Sequence, residues 1–121
     1  MAFEMPVLFC TGEPSGDMYA GLFIKALKQK HPDAQIYCVG DGSMRQAGGE
    51  VILEYRQLMT FGLIEGILSI WQNYQAYRRI ARSLYRLHLR TFVAVAYPGI
   101  NLLLCRVAKR LDVRVYFFLP P

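Results

Sequence analysis

Residues 9–21 read FCTGEPSGDMYAG: an apolar run ends, Gly12, Glu13, Pro14, Ser15, Gly16 and Asp17 follow, and a helical pattern begins. The run it closes, Pro6–Thr11 (PVLFCT), predicts a buried strand, because it is short, almost wholly apolar and stopped by Gly12. Ser15 reads as a helix N-cap, since a side-chain oxygen there can accept from backbone N–H groups that lack an intrahelical partner. The helix MYAGLFIKALKQK places Leu22, Phe23, Ala26 and Leu27 on one stripe and ends in lysines, which suit the negative end of a helix dipole. His31-Pro32-Asp33 stops it.

The same unit recurs down the chain. Gln35–Val39 (QIYCV) predicts a second strand, followed by Gly40-Asp41-Gly42, a short helix around Ser43–Ala47 and the stop Gly48-Gly49. Val51–Leu53 reads as a third, short strand, and a long helical pattern runs from about Leu63 to Leu89. A fourth strand Thr91–Ala96, a turn at Pro98-Gly99, a helix from about Asn101 to Arg110 and a fifth strand Val113–Leu119 complete the series. Strands alternating with helices at these lengths predict an α/β fold, a Rossmann-like three-layer domain with a mostly parallel sheet covered on both faces. No repeat, low-complexity tract or linker divides residues 1–121, so they read as one domain. The chain stops on Pro120-Pro121 directly after a strand, which reads as cut rather than finished.

Of the 121 residues 54% are apolar and 19% charged, and the mean hydropathy is +0.20, more apolar than ordinary solubility needs. Part of that surface is expected to meet a membrane or a second domain. The net charge of +5 favours anionic partners: nucleic acid, anionic lipid or a phosphorylated ligand. Cys10, Cys38 and Cys105 are odd in number and lie in apolar stretches without metal-ligand spacing, so they read as buried thiols of a reducing compartment. MAFEMPVLF has no basic leader, no window reaches the roughly 18 apolar residues of a membrane span, and a cytoplasmic protein is expected. His31 and His88 are isolated, and neither a metal nor a cofactor is expected.

In an open parallel sheet ligands gather beyond the carboxyl ends of the strands, where helix N-termini present free N–H groups. Gly12 and Gly16 would let backbone approach a ligand there, Ser15 offers a hydroxyl, and Glu13 and Asp17 add carboxylates that suit sugar hydroxyls better than phosphate. The stretch is neither the G-x-G-x-x-G dinucleotide fingerprint nor a P-loop. Capping accounts for Ser15 and Asp17 as readily as ligand binding does, whereas Glu13, outside the helix, has no such role.

GEPSGD with its helix, VGDGSMRQAGGE after the second strand, LMTFGLIEGILSIW at the head of the long helix, YPGIN after the fourth strand and YFFLPP at the end occur in that order along nearly the whole chain. In this the sequence resembles the N-terminal half of lipid-A-disaccharide synthases. That family is one of inverting glycosyltransferases with two Rossmann-like domains facing across a cleft, and its chains continue well beyond this one.

The resemblance implies transfer of an acylated glucosamine from its UDP derivative to an acylated glucosamine 1-phosphate, without a metal, on the inner face of the cytoplasmic membrane. It assigns the C-terminal domain, absent from this chain, most of the UDP-sugar site, and the N-terminal half the acceptor-side residues. Glu13 and Ser15 fall at catalytic positions, and Gly12, Gly16, Asp17, Tyr97 and Asn101 at substrate-binding ones. The family's Asp-x-Pro-x-Phe-Asn pattern after the fourth strand reads AYPGIN here, so its acid, a candidate base, is Ala96 and its aromatic is Ile100. Asn101 keeps its place, where a helix cap is also a sufficient account.

In the long helix Ile67, Ile70, Tyr74, Tyr77, Ala81, Leu84 and His88 recur at helical spacing and are expected to face the sheet. Leu63, Ile64, Leu68 and Trp71 make the other side of its first half apolar, and Arg78, Arg79, Arg82, Arg86 and Arg90 trail behind. An apolar tip with a basic face suits contact with an anionic membrane surface through Leu63, Ile64, Leu68, Trp71, Arg78 and Arg82. Nucleic acid is not an expected partner, because the arginines stand beside aliphatic rather than stacking surface. The reading is thus a peripheral glycosyltransferase domain, inactive in isolation. The alternatives are a non-catalytic lipid- or partner-binding module related to that enzyme, or, by fold analogy alone, a flavodoxin-like binder of a phosphorylated cofactor.

Overall fold

The computed structural model describes residues 4–54, 66–96 and 98–118, with the side chains at 66–73 and 98–100 outside that description. Its elements run β1 (Val7–Cys10), α1 (Pro14–Lys30), β2 (Ile36–Gly40), α2 (Gly42–Gln46), β3 (Glu50–Glu54), α3 (Gly66–Arg86), β4 (Thr91–Val95), α4 (Pro98–Arg110) and β5 (Arg114–Phe118). The strands form one sheet in the order β3-β2-β1-β4-β5, and every pair is parallel. β1 is central: Val7 lies beside Ile36 and Thr91, and Cys10 beside Val39 and Ala94.

A central parallel strand has no solvent face, which is why VLFC is apolar throughout and each of its four residues is fully buried. Alternate side chains feed two cores. Val7, Phe9, Ile36, Cys38, Val93 and Val95 meet α1 and α2, while Leu8, Cys10, Val39, Phe92 and Ala94 meet α3 and α4. The fold is therefore the expected Rossmann-like three-layer α/β arrangement.

Two helices are rotated from their predicted phase. α1 buries Ala20, Gly21, Ile24 and Leu27, while Leu22 and Phe23 are 63% and 39% exposed and Ala26 also faces out. Gly21 sets this orientation: a Cβ there would lie 2.8 Å from the Ser43 carbonyl oxygen, so α1 crosses α2 in close contact at that point. In α3 the buried stripe is Ala76, Ile80 and Leu84, with Tyr77 and Ala81 half-buried and Tyr74 and His88 exposed. Ala76 joins the core cluster with Ile80 and Leu84, while exposed Tyr74 keeps its polar end toward water. Ile67 and Ile70 lie outside the described side chains.

Asp17 ties the first layer together. Its carboxylate turns away from its own helix and accepts from the backbone N–H groups of Asp41 (2.8 Å), Ser43 (2.9 Å) and Met44 (3.3 Å). It thereby caps α2, whose own N-cap residue makes no side-chain capping bond.

Two predictions follow from this packing. Replacing Asp17 by Asn should cost about 2 kcal/mol, read as a lower urea midpoint, with faster hydrogen exchange at the Ser43 and Met44 amides, because one acceptor oxygen becomes a donor facing N–H groups. Burial raises the Cys10 and Cys105 thiol pKa values and pushes Cys38 up to about 12. The folded state then holds more protons than the unfolded one from the ordinary thiol range to about 12, so stability should fall as pH rises through that window, less steeply in Cys38→Ala.

Candidate functional site

Winding reverses between β1 and β4. From β1 the chain proceeds outward through β2 and β3, from β4 it proceeds the other way to β5, and the two strands lie side by side at the centre. In an open parallel sheet the crevice outside the carboxyl ends of the strands at such a switch point is the usual place for a ligand. One wall is Thr11–Glu13 with the start of α1; the other begins at Ala96 and leads into α4.

Glu13, not Ser15, is the N-cap of α1. Pro14 decides this, because its fixed φ suits the first helical position and its missing N–H would be unpaired there in any case. The Glu13 backbone is extended (φ −145, ψ 156), its carbonyl accepts from the Asp17 N–H at 3.1 Å, and its side chain makes no capping bond. That carboxylate is half-buried, and exposed Ser15 donates from Oγ to Glu13 Oε1 at 3.3 Å. An acid and a hydroxyl thus share one accessible rim.

Gly16 serves a close contact rather than an open loop. Gly12 and Gly16 are both buried, and a Cβ at Gly16 would collide with the Thr11 hydroxyl, so only glycine lets α1 seat on the end of β1. Asp17 is 5% exposed and committed to α2. The structure therefore separates it from the Glu13–Ser15 rim.

Asn101 is neither a cap nor an exposed ligand group. It lies inside α4, is 1% exposed, and donates from Nδ2 to the Cys10 carbonyl at 3.1 Å and the Ala96 carbonyl at 2.9 Å. It joins the ends of β1 and β4 at the switch point. Ala96 takes a left-handed backbone (φ 53) and donates its N–H to the Phe118 carbonyl at 2.8 Å. Among the described residues, Thr11 Oγ1 and Asn101 Oδ1 are buried polar atoms without a hydrogen-bond partner, so unspent hydrogen-bonding capacity lies beneath the rim.

Sequence reading did not single out Thr11; its signal was a lone hydroxyl at the end of an otherwise apolar strand. Tyr97, Leu63 and Ile64 lie outside the described residues, as do the side chains of Leu68 and Trp71 on α3. Arg78 and Arg82 are exposed on α3, on the layer opposite α1. Beside the rim, an apolar groove of about 310 Å³ runs between α1 and β5, lined by Tyr19, Phe23, Val93, Val95, Tyr116 and Phe118. Among the described residues no helix is long and apolar enough to cross a membrane.

The sequence profile of the lipid-A-disaccharide synthetase family matches residues 7–121. Lipid-A-disaccharide synthase of Coxiella burnetii is 31% identical over 119 residues, which cover 95% of this chain and 31% of that protein. The enzyme of Nitrosococcus oceani is 30% identical over 115 residues, covering 95% and 30%, and that of Geobacter metallireducens 28% identical over 115 residues, with the same coverage. The chain spans just under a third of the length of these relatives. A profile matched from the first strand to the last residue, on the wound sheet that the sequence predicts, makes this chain a member of the lipid-A-disaccharide synthetase family.

Proposed function

We propose that this chain is the acceptor-side domain of a glycosyltransferase that moves an acylated glucosamine from a UDP-sugar onto an acylated glucosamine 1-phosphate. Family membership over 7–121 carries the proposal, and the Glu13–Ser15 pair beside the β1/β4 crevice gives it a chemical centre. A second domain supplies the UDP-sugar contacts, so the 121-residue chain alone transfers no sugar.

Glu13 is the base in this reading. Its carboxylate takes the proton from the attacking acceptor hydroxyl as that oxygen forms a bond to the anomeric carbon of the donor. The bond from that carbon to the diphosphate breaks, its electron pair leaves with UDP, and configuration inverts. Ser15, hydrogen-bonded to Glu13 Oε1, orients the carboxylate. Gly12 and Gly16 belong to the substrate side on family grounds, Gly16 by letting α1 seat on Thr11, and the Thr11 and Asn101 oxygens without a partner lie at the same strand ends. Tyr97 belongs to the substrate wall on family grounds. Asp17 acts indirectly, by holding α2 against the helix that carries the rim.

The domain rests against the inner face of the cytoplasmic membrane, with Leu63, Ile64, Leu68 and Trp71 toward lipid and Arg78 and Arg82 beside them. One observation favours a second reading: residue 96, the family's acidic position, carries only a methyl group, 6% exposed. A chain that relied on that acid would be a binding module.

The two readings separate experimentally. In a polypeptide joining this chain to a donor-binding half, Glu13→Gln should lower kcat for UDP release by about 10²–10⁴-fold with KM little changed, and Ala96→Asp should not be required for turnover. Turnover that appears only with Ala96→Asp would leave the binding module. Titrating acylated glucosamine 1-phosphate into the 121-residue chain should shift the amide resonances of Glu13 and Ser15, and shifts confined to other residues would remove the proposed centre.

A further inference from the structure

Val93 pairs with Tyr116 and Val95 with Phe118, so these four residues share one face of the β4–β5 pair. Among the described residues the helices on that face are α1 and α2, which connect strands of the β3-β2-β1 half, so β5 at the sheet edge has no helix of its own there. α1 reaches it with Tyr19 and Phe23, one turn apart on the helix. The six residues line the groove of about 310 Å³ beside the rim. Val93 and Val95 are buried, whereas Phe23 and Phe118 remain open to solvent.

The groove is apolar and bounded by rings that rest on one another. Phe118 stands edge-on to Tyr19 and Phe23, and Phe23 is tilted against Phe9 at 6.0 Å. None of the lining residues is charged, and only the two tyrosines carry polar side-chain atoms. It also adjoins the switch point. Ala96 donates its N–H to the carbonyl of Phe118 at 2.8 Å, and Tyr19 follows the helix cap Glu13 by six residues, about 9 Å along the axis.

We propose that this groove holds an acyl chain of the acceptor while its sugar lies at the Glu13–Ser15 rim. The inference rests on the sugar-transfer reading given above and adds to it the place of the chain. An apolar cavity of about 150 Å³ takes a benzene molecule, so twice that volume suits an alkyl chain of medium length. A phosphate or a sugar ring would find no charged partner there, whereas methylene groups give up only contact with water. An extended peptide would bring backbone N–H and C=O groups that these side chains cannot pair, and an acyl chain brings none beyond its first carbonyl. Binding energy gained on the chain, remote from the reacting atoms, then orients the attacking hydroxyl beside Glu13.

Calorimetric titration of the 121-residue chain tests this with glucosamine 1-phosphate bearing an N-acetyl, octanoyl, decanoyl or dodecanoyl group, each below its micelle-forming concentration. Affinity should rise about fourfold per methylene from the octanoyl to the dodecanoyl form. Chain protons of the decanoyl form should show nuclear Overhauser contacts to the rings of Tyr19, Phe23, Tyr116 and Phe118, a readout that needs no variant. Phe23→Ser with Phe118→Ser should weaken dodecanoyl binding about tenfold and leave acetyl binding unchanged. Leu22→Ser, at an exposed position of α1 outside the groove, should change neither.

Affinity independent of chain length, Overhauser contacts confined to other surfaces, or an equal loss in Leu22→Ser would overturn the inference. So would loss of the chain-length dependence once this chain is joined to a donor-binding half, which would make the groove a contact between domains, or self-association of the native chain that Phe23→Ser abolishes, which would make it a dimer seat. Amide shifts at Glu13 and Ser15 beside a flat chain-length series would remove the groove and keep the transfer proposal. A steep series with no shift at the rim would support the groove and remove Glu13 from the proposed centre.

Discussion

One side-chain amide holds the centre of this fold. Asn101 spends both of its N–H donors on the carbonyls of Cys10 and Ala96, which close the two strands between which the winding reverses. A carbonyl at the end of a buried parallel strand has no ladder partner beyond it, and leaving it unpaired in the interior costs free energy comparable to a lost hydrogen bond. Asn101 removes that penalty twice from within α4, so helix and strand ends are set together. The rim residues inherit that geometry: Gly16 packs on Thr11, and α1 can then begin at Pro14 with Glu13 as its cap.

The apolar excess of the chain has a location. The four residues of β1 and most of β4 are buried by helices on both sides, as a central parallel strand requires. Toward β5 the α1 side of the sheet lacks such cover, and Phe23 and Phe118, each 39% exposed, border the groove beside Tyr19 and Tyr116. Phe118 lies edge-on to Tyr19 at 6.3 Å and to Phe23 at 6.5 Å, so the aromatics there pack partly on one another. The opposite layer instead presents a cationic surface with scattered leucines. Exposed apolar side chains therefore occur on both layers, whereas the helices that carry cations without any acidic residue, α3 and α4, lie on one.

Much of the fold was legible because its signals are local. VLFC, IYCV and TFVAV are apolar runs of strand length, and each is followed by glycine or proline and then by helical spacing. Helix phase was less legible. Leu22 and Phe23 outweigh Ala20 and Gly21 on any hydrophobicity scale, yet the smaller pair faces inward, because backbone contact with α2 favours small side chains at that crossing. In α3 likewise Ala76 is buried and the larger Tyr74 lies outside. The acid and hydroxyl of the rim could be read from GEPSGD alone, whereas the roles of Asp17 and Asn101 depend on partners up to 27 and 91 residues away. No local pattern encodes such partners.

At Ala96 the backbone is held by its neighbours rather than by its own side chain. A left-handed conformation at alanine costs about 1 kcal/mol or more, which glycine avoids and short polar side chains offset by local hydrogen bonds. Here the turn is held from outside: Phe118 accepts its N–H, Asn101 donates to its carbonyl, and Pro98 opens the next helix. Two hydrogen bonds from neighbouring elements thus hold this backbone without any contribution from the residue's own side chain. Among the described residues the buried oxygens left unpartnered at these strand ends are the uncharged Asn101 Oδ1 and Thr11 Oγ1, and in the proposed function the ionisable chemistry rests on Glu13.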